Sequence, residues 1–149
     1  MRKGAKVLYR IAAVLFLLFA AGHTAGFLTF RPKEADALAV LDGMNRVHFA
    51  AGSTTVTWGG FYTGFGLFVS AYLLFSVCVA WRLSNASDAE AAMARSVAWA
   101  LFAVQLVNIG VCARYFGPVQ VTFAAACAAT VGLAALQTRP RIAPTRATG

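Results

Sequence analysis

Charge is scarce in this chain. Asp, Glu, Lys and Arg make up 12% of its 149 residues, and only five of those are acidic. A soluble domain carries about a quarter charged residues, so a soluble globular protein and a disordered chain are both excluded. Cysteine is sparse too: Cys78, Cys112 and Cys127, with no C-x-x-C spacing. That excludes a disulfide-rich secreted module and a thiol–disulfide oxidoreductase. Three cysteines inside apolar runs read as small apolar residues. The acids Glu34, Asp36, Asp42, Asp88 and Glu90 all fall outside the long apolar runs. A carboxylate-bridged di-metal site within a helical bundle therefore has no ligands. Histidine occurs twice, as His23 and His48. Bis-imidazole haem ligation would require the loop carrying His48 to fold over the helix carrying His23. No metal site is predicted, and the residues leave any cofactor unknown.

What the chain has is apolar length. Hydrophobic residues make up 60% of it and the mean hydropathy is +0.69. Four stretches contain no charged residue: 11–30, 58–81, 96–113 and 117–136. A helix rises ~1.5 Å per residue, so ~20 residues cross the ~30 Å hydrocarbon core. Backbone groups in hydrocarbon must be paired internally, which makes these runs helices. Membrane barrel strands would alternate apolar and polar residues, and these runs do not. The predicted fold is all-α, an integral membrane bundle of four transmembrane helices. The transmembrane domain covers 1–136, and residues 137–149, with Pro140 and Pro144, read as a disordered basic cytoplasmic tail.

The net charge of +8 comes from 13 Lys and Arg against five acids, and its distribution gives a topology. Arg2, Lys3, Lys6, Arg10, Arg82, Arg95, Arg139, Arg141 and Arg146 fall on one side of the four spans. Only Arg31, Lys33, Arg46 and Arg114 fall on the other. Basic residues collect on the cytoplasmic side, so both termini are expected in the cytoplasm of a multi-pass inner-membrane protein. The charge is a topology signal with some attraction to anionic headgroups. No nucleic-acid motif accompanies it, and nucleic-acid binding is set aside. The basic start followed by an apolar run resembles a signal peptide, with small residues at Ala20, Ala21 and Gly22. The run continues to Phe30, which favours an uncleaved first span.

Local signals place the ends. Ser87-Asp88-Ala89-Glu90 has capping-box spacing and predicts that the third span helix starts in the loop before the membrane. Pro118 suits the first turn of the fourth, where its missing N–H costs nothing. The Gly117-Pro118 turn makes spans 3 and 4 antiparallel neighbours. Between spans 1 and 2, Leu38, Leu41 and Met44 recur at helical spacing with Glu34, Asp36 and Asp42 among them. This predicts a short extracytoplasmic amphipathic helix on the membrane surface, with Gly43 weakening its end. Residues 50–57 read as an irregular approach to span 2.

Polar residues inside a membrane are costly, and ionisable ones mark sites by default. Scattered Ser and Thr apart, they are His23, Thr24, Tyr62, Thr63, Gln105, Asn108 and Gln120. His23 lies ~10 Å, and Asn108 ~9 Å, below the outer surface by helical rise. Three stripes recur at helical spacing: Phe16, Phe19, His23, Gly26 and Phe30 on span 1; Phe61, Phe65, Phe68, Tyr72 and Phe75 on span 2; Ala98, Leu101, Gln105, Asn108, Cys112 and Tyr115 on span 3. Converging stripes would form a pocket whose polar end is His23, Tyr62, Gln105 and Asn108, suited to a lipophilic small molecule with one polar group. The same side chains serve equally as interhelical hydrogen bonds, or as an enzyme site in which His23 gives or takes a proton. Expected partners are the lipid bilayer, a lipophilic small molecule, and a second copy or another membrane protein. Gly22-x-x-x-Gly26, Gly60-x-x-x-Gly64, Gly66-x-x-x-Ser70 and the alanines of span 4 are small-residue patterns that allow close helix packing.

At Gly22-His23-Thr24 and at Gly59-Gly60-Phe61-Tyr62-Thr63-Gly64-Phe65-Gly66-Leu67 the chain resembles a group of small bacterial four-span membrane proteins of unassigned function. That group carries Gly-His-Thr in span 1 and Gly-Phe-Gly opening span 2. More loosely, the architecture is similar to DoxX-like proteins, some of which are tied to quinone-linked redox chemistry. The resemblance implies a four-span membrane fold and transfers no residue roles. Beside it stands the reading of an enzyme acting on a quinone, terpenoid or other lipid.

Overall fold

A computed structural model describes residues 1–138. It is all-α apart from one small hairpin. The elements are α1 (Lys3–Thr29), α2 (Ala35–Arg46), β1 (His48–Ala51), β2 (Thr54–Thr57), α3 (Trp58–Ser84), α4 (Ala91–Tyr115) and α5 (Pro118–Gln137). The four long helices, α1, α3, α4 and α5, are each long and apolar enough to cross a membrane. Three of them outrun their charge-free stretches: α1 begins at Lys3, α3 ends at Ser84 and α4 starts at Ala91. Helical hydrogen bonding continues past the lipid boundary, where Lys and Arg can extend their charged ends into water.

The packing is that of a membrane protein. The buried faces carry small side chains: Ala12, Ala13 and Ala20 on α1, Ala94 and Ala98 on α4, Ala124, Ala128 and Ala134 on α5. The outward faces carry large apolar ones, among them Leu18, Phe68, Phe75, Val107 and Leu133. In water this arrangement would forfeit the hydrophobic effect. In lipid it is favourable, because small residues let helices approach while large ones meet acyl chains. Exposed Trp58 and Trp81 lie at the two ends of α3, roughly 35 Å apart by helical rise. Tryptophans so spaced match the two interfaces of a bilayer. The chain is a multi-pass membrane protein.

Two compact units form. The first joins Met1–Leu17 to the described residues from Phe75 onward. Here the start of α1, the end of α3, α4 and α5 pack as a four-helix bundle around Ala5, Tyr9, Leu83, Ala98, Ala134 and Ala135. Only Phe116 and Gly117 separate α4 from α5, and Pro118 opens α5 as expected. The two helices pack closely: a Cβ on Gly132 would crowd the Phe102 ring. The Tyr9 hydroxyl donates to Thr138 Oγ1 at 3.0 Å, and Thr138 donates onward to the Ala134 carbonyl at 2.8 Å. Gln137, expected to begin the tail, instead closes α5, and Thr138 is buried behind it. The remainder of the expected tail lies outside the described residues. The Met1 amino group pairs with Asp88. The capping-box motif forms only in part. Glu90 Oε2 accepts from both the N–H and the hydroxyl of Ser87 at 2.8 Å, but α4 starts at Ala91, three residues after the Asp88 that the motif would make its first residue.

The second unit is Leu18–Leu74. The expected amphipathic helix is α2, with Leu38, Leu41 and Met44 half-buried and Glu34, Asp36 and Asp42 exposed. It runs through Gly43 to Arg46. A Cβ on Gly59 would overlap the Asn45 side chain, so the end of α2 sits against the start of α3. Residues 50–57 are not irregular. They belong to an antiparallel hairpin pairing His48 with Thr57 and Ala51 with Thr54. Its two-residue loop is Gly52-Ser53, with Gly52 at φ 63°, and among the described residues no non-glycine residue has a positive φ. That is the pattern of a type II′ turn, which needs glycine at its first central position. Thr57 ends β2 and caps α3, accepting the Gly60 N–H at 3.0 Å, as an N-cap threonine does. Phe49 stacks on Trp58 with ring centroids 4.3 Å apart.

Candidate functional site

Each unit holds a cluster of the polar side chains expected within the spans. In the second unit α1 presents His23, Thr24 and Phe27, and α3 presents Gly66 and Ser70. Positions 66 and 70 lie about 40° apart on a helix, hence on one face. His23 donates its Nε2–H to the Gly66 carbonyl at 3.1 Å. Ser70 donates to the same carbonyl at 3.3 Å, and the Thr24 and Ser70 hydroxyls lie 2.8 Å apart. Because the Ser70 proton is used on Gly66, Thr24 is the donor to Ser70. The result is a directed chain from Thr24 to Ser70 to the Gly66 carbonyl, which the His23 N–H meets from the other side. With Nε2 carrying the proton, the basic nitrogen of the neutral ring is Nδ1.

Phe27 closes the cluster. Its ring lies parallel to the His23 ring, with centroids 5.7 Å apart, and tilts against Tyr62 at 5.4 Å. It fits because residue 66 is glycine: a Cβ there would overlap the Phe27 ring. Tyr62 itself is largely exposed. Thr63 turns back to the Gly59 carbonyl at 2.8 Å and takes no part.

In the first unit, Gln105 is fully buried on α4. Asn108 donates to its Oε1 at 3.5 Å, and the Cys112 thiol lies 3.8 Å from the Asn108 carbonyl oxygen. Gln120 is half-buried in the first turn of α5. The four expected site residues thus divide two and two: His23 and Tyr62 share one cluster, Gln105 and Asn108 another. Among the described residues no group of three or more His, Cys, Asp or Glu could hold a metal ion. His48 is exposed and directs Nδ1 at the Arg46 carbonyl at 2.8 Å.

The aromatic stripe of α3 is not an inner wall. Phe61, Phe65, Phe68 and Phe75 are 44%, 58%, 74% and 66% exposed. Phe61, Phe65 and Phe68 flank an open apolar groove of about 410 Å³, with Gly60 and Gly64 in its floor and Val56 and Thr57 of the hairpin at one end. Gly60, Gly64 and Phe68 lie roughly half a turn round the helix from Gly66 and Ser70. α3 therefore has a fastened polar face and an open apolar face. A Cβ on Gly22, Gly26 or Gly64 would meet nothing within 4 Å, so of the small-residue patterns of this unit it is Gly66-x-x-x-Ser70 that makes the close approach. No family model, no curated protein and no solved structure matches the chain.

Sequence reasoning missed Phe27 and Ser70 as members of the His23 cluster, and the Tyr9–Thr138 pair of the first unit. Ser70 stands four residues from Gly66 in a small-residue pattern, and that spacing was the available signal.

Proposed function

We propose that this is an accessory protein of the bacterial inner membrane that binds a transmembrane helix of a partner protein along the open face of α3. The observation that carries this is the groove over Gly60 and Gly64. A Gly-x-x-x-Gly floor allows a second helix backbone to come close. The flanking Phe61, Phe65 and Phe68 supply apolar contact. The groove offers a lipophilic small molecule almost no polar anchor, and such sites normally place a few polar groups to orient the ligand. In this reading the His23–Gly66 and Thr24–Ser70 bonds hold α3 to α1 so that the glycine face points outward. Both termini lie in the cytoplasm, as the nine-to-four division of basic residues favours.

The test is a photo-crosslinking amino acid at position 65 in cells. We expect one discrete protein adduct, lost on Gly64→Leu, at a position where an added Cβ meets nothing within 4 Å. Adducts with lipid alone would overturn the reading.

One observation favours a second reading, a membrane enzyme acting on a quinone, terpenoid or other lipid. With the Nε2 proton donated to Gly66, His23 Nδ1 is left as a proton acceptor, and the Phe27 ring that stacks on His23 also packs against the exposed Tyr62. Tyr62 would then orient the substrate. Loss of a bound lipophilic molecule from the purified protein on His23→Ala, with the Phe65 adduct unchanged, would move the function to this site.

A further inference from the structure

A second groove, of about 210 Å³, lies in the first unit between the end of α3 and the start of α4. Its walls are apolar: Val79 and Leu83 from α3, Met93 and Val97 from α4. Its mouth carries two opposite charges, Arg82 and Glu90. Both are available. The guanidinium of Arg82 makes no hydrogen bond or ion pair among the described residues. Glu90 accepts its two bonds from Ser87 on Oε2, which leaves Oε1 open. Those bonds, with Arg82 nearby, also hold the Glu90 carboxyl below the usual carboxylate range, so it is charged at neutral pH. Val97 lies seven residues beyond Glu90, so the apolar channel extends ~10 Å inward from the charged mouth.

We propose that this groove binds a zwitterionic aminophospholipid, with its phosphate on Arg82, its primary ammonium on Glu90 Oε1, and one acyl chain along Val79, Met93 and Val97. The complementarity is specific. An anionic headgroup satisfies Arg82 and is repelled by Glu90. A choline headgroup presents its charge to Glu90 without an N–H to donate, and charge-assisted hydrogen bonds are the strong ones. A free phosphoethanolamine would leave the apolar channel empty, which commits the site to a lipid. The site is separate from the α3 groove and does not depend on the partner-helix reading.

The experiment is native mass spectrometry of the full chain in detergent, titrated with dioleoyl phosphatidylethanolamine, phosphatidylcholine or phosphatidylglycerol. We expect one phosphatidylethanolamine per chain, held about tenfold more tightly than phosphatidylcholine, the worth of one charge-assisted hydrogen bond. Glu90→Gln retains an acceptor for the Ser87 N–H. It should erase that preference by lowering phosphatidylethanolamine to the phosphatidylcholine level. Arg82→Gln should weaken both lipids. Thermal melts of both variants confirm that they remain folded. Equal binding of the three lipids by the native chain, tightest binding of phosphatidylglycerol, or a preference that survives Glu90→Gln would each overturn the proposal.

Discussion

His23 and Gly66 are joined by a hydrogen bond from an imidazole N–H to a main-chain carbonyl at 3.1 Å. The acceptor already serves the Ser70 hydroxyl, so one carbonyl gathers the polar contacts of two helices. This bond ties the end of α1 to the start of α3, and its energy is the first quantity to measure. Interhelical hydrogen bonds in membranes are worth roughly 1 kcal/mol. His23→Ala should therefore lower unfolding free energy in detergent by about that amount. His23→Gln, which keeps an N–H donor, should recover part of it. If His23→Ala leaves stability unchanged, the bond is not a fastening.

Gly66 and Phe27 make a steric prediction. A methyl group on Gly66 would overlap the Phe27 ring. Overpacking of this kind typically costs 1–3 kcal/mol. Gly66→Ala should destabilise by about 2 kcal/mol, and Phe27→Ala in the same chain should relieve most of the clash. Strong non-additivity in the double-mutant cycle is the expected signature. Gly26→Ala is the control, because its Cβ would meet nothing within 4 Å.

The contrast between those two glycines shows what could be read from the residues. Apolar length sufficed for the four spans, because a bilayer demands internal hydrogen bonding whatever the neighbours are. The amphipathic spacing of Leu38, Leu41 and Met44 likewise sufficed for α2. The hairpin was legible and overlooked. Gly52-Ser53 stands between two short runs, Phe49 and Val56 are apolar, and a two-residue Gly-Ser loop is a hairpin signal. Which glycine of several is crowded was not legible, since Gly22, Gly26 and Gly66 all sit in the same pattern and only the facing side chain differs. The direction of the Phe61, Phe65, Phe68 and Phe75 stripe was not legible either. Periodicity shows that a face exists but not whether it meets lipid or protein, and in a membrane large apolar side chains suit both.

The Ser87–Glu90 contact predicts a pH dependence. Glu90 accepts the Ser87 N–H and hydroxyl, and both bonds favour its ionised form and lower its carboxyl pKa in the folded state. A depressed folded pKa means that the unfolded chain binds more protons in the acidic range. The stabilisation is complete above the unfolded carboxylate pKa and is lost as pH falls through the folded one. Thermal stability of the native chain should therefore fall more than that of Glu90→Gln as pH is lowered through the carboxylate range. Parallel curves for the two proteins would show that the contact does not contribute.

The Tyr9–Thr138 pair makes the last prediction, and it concerns how the end of α5 is held. Tyr9 and Thr138 are both fully buried, and a buried hydroxyl without a partner costs more than a bond forgone in water. Tyr9→Phe removes the donor and leaves Thr138 bonded to the Ala134 carbonyl, so its cost should be small, about 1 kcal/mol. Thr138→Val instead strands the Tyr9 hydroxyl among Ala5, Ala134 and Ala135, and should cost more, about 1–3 kcal/mol. The double variant Tyr9→Phe with Thr138→Val removes both partners and should recover part of that loss. Thermal unfolding of the three variants in one detergent orders them. If Tyr9→Phe costs as much as Thr138→Val, the pair does not have this asymmetry.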